Sequence, residues 1–159
     1  MKRIILSLVA FVFGGFAMAQ DTSRTAPIRL LDTYLQLKEA LVSGNAVNAG
    51  AAADHFVKVA NTIDMKVISE DNIRILSADA SRIASTQNLQ QQRNAFANLS
   101  TNMAAVARNV KLSDTPVYLQ YCPMKKATWL SAEKNIRNPY YNNAMLTCGQ
   151  VQSTLGENQ

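Results

Sequence analysis

The chain has 159 residues, a net charge of +5 and two cysteines. That length suits one domain with its own core, and an apolar fraction of 48% argues against a disordered chain. The basic residues are scattered and their excess is small, so composition gives no footprint for a nucleic-acid partner.

The N-terminus has the order of a secretory signal. Lys2 and Arg3 form a positive start, Ile4 to Phe16 an uncharged apolar run, and Ala17-Met18-Ala19 an A-x-A cleavage site. Residues 1–19 are expected to be removed, so that the mature chain begins at Gln20, carries a charge of +3 and lies in the periplasm or outside the cell. The apolar run is short for a bilayer span and no later segment approaches that length, so no membrane span is expected after cleavage. An oxidising compartment favours a disulfide between Cys122 and Cys148.

Four segments carry helical periodicity. In about 27–43, Leu30, Tyr34, Leu37 and Leu41 form a stripe, with Pro27 in the first turn and Gly44 ending it. In 45–65 the stripe is Ala52, Phe56, Val59 and Ile63, with Asn45 as N-cap. In 70–85 it is Ile73, Leu76, Ala80 and Ile83 behind a Ser69 cap. In 87–111 Leu89, Phe96, Leu99, Met103, Val106 and Val110 share a face, with Thr86 as cap. Each helix has one apolar face and the connections are short. The expected fold is therefore all-α, a four-helix up-down bundle.

The pattern changes near Ser113. Val117 to Tyr121 reads as a short extended segment, and Ser131 to Ile136 as a brief helical turn. Pro123, Pro139, the Asn/Tyr run 138–143 and Gly149 argue against a long helix. The expected domain is thus 20–152, with an irregular C-terminal loop cap over about 113–152 and a flexible tail at 153–159. The cap holds both cysteines and Trp129, and Tyr121, Trp129, Pro139, Tyr140 and Tyr141 are expected to pack it onto the bundle.

Cys122-Pro123-Met124 places a thiol and a thioether on one face of an extended chain, and Met145 and Cys148 share a face of a helical turn. Four soft sulfur groups, Cys122, Met124, Met145 and Cys148, would suit Cu(I) or Ag(I). The competing reading is a Cys122–Cys148 disulfide with the methionines as packing. His55, the only histidine, lies at the edge of its helix's apolar face and reads as a surface residue, with a weak claim to join a metal site. Hydrolase, metalloprotease and phosphate-loop motifs are absent, and no acid–base pair stands out, so an enzyme is not expected.

The ordered blocks Val117-Tyr118-Leu119-Gln120-Tyr121-Cys122-Pro123-Met124, Trp129-Leu130-Ser131, Ile136-Arg137-Asn138-Pro139-Tyr140-Tyr141 and Met145-Leu146-Thr147-Cys148-Gly149 resemble a periplasmic domain family of undefined function. That domain occurs alone or fused to the membrane-fusion subunits of copper and silver efflux pumps. The upstream Gln92 to Ser100 resembles the family's last long helix. The chain departs from the family at Asn72 to Leu76, where an aromatic-and-histidine stretch is usual, and at Asn142, where glycine is usual. The resemblance implies an exported, soft-metal or copper-handling accessory protein whose partner is a heavy-metal efflux membrane-fusion subunit. The alternative is a disulfide-capped protein-interaction domain with no metal role.

Overall fold

The computed structural model describes residues 22–141 and 143–155. The expected signal segment, residues 1–19, lies outside the described residues. The chain forms α1 (Thr22–Val42), α2 (Ala46–Ala60), α3 (Glu70–Ala84) and α4 (Leu89–Ala107), followed by β1 (Val117–Cys122), β2 (Ala127–Ser131), a 3-10 turn at Asn143–Met145 and β3 (Gln150–Leu155).

Local chemistry accounts for the helix ends. Asn45 Oδ1 accepts the Asn48 N–H at 2.9 Å and Ser69 Oγ accepts the Asn72 N–H at 3.4 Å. Asn88 caps α4 by accepting the Gln91 N–H at 3.0 Å, while Thr86, expected as the cap, instead accepts the Asn88 N–H. Helix α1 starts before Pro27, so the proline sits inside it rather than in its first turn. It lies near enough to the N-terminus that only an early helical bond is lost. Most of each expected stripe is core: Leu30, Tyr34, Leu37, Leu41, Phe56, Leu76, Ile83, Phe96, Leu99 and Met103 are fully buried, while Ala52, Ile73, Leu89 and Val110 are half-buried at its edge.

The all-α expectation is corrected by the C-terminal third, which is a three-stranded antiparallel sheet of order β2-β1-β3. Helices α1–α2, α2–α3 and α3–α4 pack as successive pairs, α1 and α4 meet through long side chains with their backbones apart, and β2 packs on α4. On the α1 side, the Leu130 N–H donates to the Tyr34 hydroxyl at 3.1 Å. The sheet thus lies over the gap between the α1 and α4 backbones. A loop laid there would bury unpaired backbone polar groups, whereas paired strands satisfy their own. The helical turn expected at Ser131 to Ile136 does not form; Ser131 ends β2 and a series of bends follows. Ser153, Thr154 and Leu155, expected in the flexible tail, belong to β3 and pair with Leu119, Tyr118 and Val117. Among the described residues no helix is long and apolar enough to cross a membrane.

Candidate functional site

Cys122 ends β1 opposite Ala127. The turn between them, residues 123–126, closes because Lys126 adopts a left-handed φ of 55° and its N–H donates to the Cys122 carbonyl at 2.8 Å. The same turn aims the Lys125 N–H at Cys122 Sγ, 3.4 Å away.

Cys148 arrives from the other side. Asn138, fully buried, organises its approach: its N–H donates to the Leu146 carbonyl at 2.7 Å and its side-chain amide to the Cys148 carbonyl at 2.6 Å. Asn138 Oδ1 in turn accepts the Tyr140 N–H at 2.8 Å. The Cys148 N–H closes onto the Met145 carbonyl at 3.1 Å. Gly149 then turns the chain into β3 with φ of 154°; a Cβ there would stand 2.8 Å from the Trp129 ring and 3.0 Å from the Tyr121 carbonyl. Since Gln150 pairs with Tyr121, the residue before Gly149 falls beside the end of β1.

The result is a thiol pair with sulfurs 3.7 Å apart, Cys122 wholly buried and Cys148 partly exposed. A hydrogen bond to Cys122 pushes the Cys148 thiol up, burial adds to the shift, and the Met124 backbone amide opposes it. Each sulfur therefore faces a backbone N–H from the 123–126 turn. Two thiolates bound to one ion at about 2.3 Å in tetrahedral geometry would lie roughly 3.8 Å apart. A disulfide needs the sulfurs to close to about 2.05 Å. The pair is within reach of both.

The remaining candidate ligands are placed differently. Met124 is 67% exposed on the turn, and Met145 is half-buried in the 3-10 turn that precedes Cys148. His55 is exposed on α2, which packs on α1 and α3 rather than on the sheet. Among the described residues there is no cluster of three or more His, Cys, Asp or Glu side chains suited to a metal. Any metal held here would rest on the two thiols, with thioethers as its further donors.

The aromatic residues fasten the sheet to the helices. Tyr34 stacks on Phe96 at 5.2 Å between centroids, Phe96 meets Tyr140 at 5.9 Å, and Tyr140 meets the edge of Trp129 at 5.9 Å. Tyr34 also shares a 2.7 Å hydrogen bond with Ser100, and the Tyr140 hydroxyl donates to the Thr128 carbonyl. Burial pushes both phenols well above their ordinary range. Trp129, Pro139 and Tyr140 are buried, while Tyr121 and Tyr141 are half-buried.

Sequence reasoning missed the polar residues that hold this region. Arg93, buried on α4, donates from Nε to the Pro139 carbonyl at 3.0 Å, and from one terminal nitrogen to the Leu41 and Tyr141 carbonyls at 3.1 Å. Gln120 Nε2 lies 2.8, 3.2 and 3.4 Å from the carbonyls of Glu133, Lys134 and Asn135, gathering the bends after β2. The signal was present for Arg93: the apolar stripe jumps from Leu89 to Phe96, and Arg93 occupies the skipped position.

A second concavity, of about 360 Å³, lies between α3 and α4 and includes Arg74, Ile75, Asp79, Arg82 and Asn102. Its central carboxylate is already engaged, since Asp79 accepts from Arg82 at 2.9 Å and from Asn102 at 2.7 Å.

No curated protein and no solved structure shows a significant match to the chain. Residues 30–115 match a family described as "Protein of unknown function (DUF3347)". The matched stretch runs from within α1 to the threshold of β1, and the cysteine, methionine and aromatic blocks lie beyond it. More than half of the chain is covered, and the protein belongs to this family of unknown function.

Proposed function

We propose that this is an exported, periplasmic domain that binds a soft monovalent ion, Cu(I), through the Cys122–Cys148 pair and acts as an accessory in copper handling. The observation that carries the reading is the pair itself: two sulfurs 3.7 Å apart, each facing a backbone N–H of one turn. Thiolates are strong soft ligands, and a site with few donors suits Cu(I) better than a cation that demands oxygen ligands. Met145, half-buried and with its carbonyl receiving the Cys148 N–H, and Met124 on the turn are the candidates for a third donor. The partner in this reading is a heavy-metal efflux membrane-fusion subunit, which rests on the resemblance of the Cys-Pro-Met, Trp-Leu-Ser and Asn-Pro-Tyr-Tyr blocks. The chain binds and delivers; it does not catalyse.

A second reading has its own support. The same two sulfurs join the end of β1 to the start of β3, where a disulfide would lock the sheet's outer strand. The domain would then be a disulfide-capped interaction module with no metal role. Protein isolated from the periplasmic fraction separates the two by thiol titration alongside metal analysis. The copper reading expects free thiols, copper in the preparation and a chain beginning at Gln20. Fully oxidised protein that remains free of metal after anaerobic reduction and copper loading would support the second reading and overturn the first.

A further inference from the structure

We infer that Cys148 is the entry thiol and Cys122 the resolving thiol of a switch that reacts with small-molecule disulfides such as oxidised glutathione. The inference deepens the reading of the same pair and rests on its being a reactive dithiol; it does not require that the pair bind metal.

Access sets the order. Cys122 is fully buried at the end of the central strand, and Cys148 is partly exposed just before the outer one. A mixed disulfide on Cys122 would have to place its leaving group inside the core, where Trp129 and Tyr140 are also fully enclosed. On Cys148 it can stand at the surface. Of the two, only Cys148 can meet an external disulfide without the fold opening.

The chemistry then runs in two displacements. The Cys148 thiolate attacks one sulfur of the disulfide R–S–S–R. That S–S bond breaks, a bond from Cys148 to the R-bearing sulfur forms, and RS⁻ leaves to be protonated. Cys122, 3.7 Å away, next attacks Cys148 Sγ as a thiolate. The Cys148–S–R bond breaks, the second RS⁻ leaves and takes up a proton, and the protein disulfide forms. One external disulfide has been reduced to two thiols and the protein dithiol oxidised by two electrons. Oxidation removes both thiolates at once, so the switch would also release a soft metal held there.

The test uses the full mature chain, reduced and metal-free, with oxidised glutathione as probe and mass spectrometry as readout. The Cys122→Ser variant is expected to accumulate a glutathione adduct on Cys148. The Cys148→Ser variant should form its adduct at least about tenfold more slowly, because Cys122 must wait for local opening. Wild type should pass to the internal disulfide without accumulating adduct. In folded, reduced wild type, a short iodoacetamide pulse should label Cys148 at least about tenfold faster than Cys122, which reads the same order without any substitution. Equal labelling of the two cysteines, or equally fast adducts on the two variants, would overturn the assignment and leave the copper reading to stand on its own tests.

Discussion

Arg93 on α4 and Pro139 in the segment before β3 are joined by a 3.0 Å hydrogen bond from the guanidinium Nε to the proline carbonyl. With its bonds to the Leu41 and Tyr141 carbonyls, this one side chain ties the end of α1, the middle of the bundle and the cap together. The cation faces the carbonyl end of α1, where the helix dipole favours positive charge. Burial lowers the pKa of Arg93, but an arginine starts high enough to stay charged at neutral pH. Replacing it with alanine removes a donor from three carbonyls, of which Leu41 keeps the Gly44 N–H, and Arg93→Ala should destabilise the fold by roughly 2–4 kcal/mol. Arg93→Lys should lose less but still measurably, since an ammonium cannot reproduce the planar fork. Urea denaturation followed by the fluorescence of Trp129, the only tryptophan, reads both.

Phe96 is the hinge of the aromatic series, touching Tyr34 on one side and Tyr140 on the other. Phe96→Ala should cost roughly 3–5 kcal/mol through the cavity it leaves. Gln91→Ala, at an exposed position on the same helix, should change the unfolding midpoint little. Equal midpoints for the two variants would contradict the assigned helix face.

At Gly149 the backbone and the space around it both refuse a side chain. Gly149→Ala should destabilise by roughly 1–3 kcal/mol, from the strained φ alone, and the contact at 2.8 Å to Trp129 adds to it. Because Cys148 is the preceding residue, the substitution should also slow closure of the internal disulfide, measured by thiol loss under a fixed glutathione ratio.

Two buried phenols predict an alkaline limit to stability. An unfolded tyrosine loses its proton near pH 10, whereas Tyr34 and Tyr140 hold theirs to higher pH in the fold because burial disfavours the phenolate. Above about pH 10 the unfolded chain therefore binds fewer protons than the folded one, and stability falls as pH rises. Below that pH the contribution is fully present and flat. Melting temperatures measured from pH 8 to pH 11 should bend downward at the upper end, and Tyr34→Phe and Tyr140→Phe should each flatten the bend. A constant slope across the series would contradict it.

The helices were legible because burial repeats on one face: Leu30, Tyr34, Leu37 and Leu41 carry the period without interruption. The sheet was not. Its β1–β2 turn is Pro123-Met124-Lys125-Lys126, with no glycine or asparagine to mark it, and Lys126 takes the left-handed position through its bond to the Cys122 carbonyl. Strand β3 is polar and mostly exposed, so its pairing comes from backbone hydrogen bonds that no side-chain pattern announces. The meeting of Cys122 and Cys148 could be suspected from their number and from the export signal read at the N-terminus. The gap in the α4 stripe marks the position of Arg93, but its partners, main-chain carbonyls about fifty residues away in either direction, leave no trace in residue type, and neither do those of the buried Asn138.

The proposed function requires that the reduced Cys122–Cys148 pair hold Cu(I). Competition against a Cu(I) chelator under strict anaerobic reduction tests it most directly. Wild type should retain about one Cu(I) per chain at chelator concentrations that strip the double Cys122→Ser/Cys148→Ser variant, with Met145→Leu between them. Wild type and the double variant losing copper at the same chelator concentration would contradict the claim.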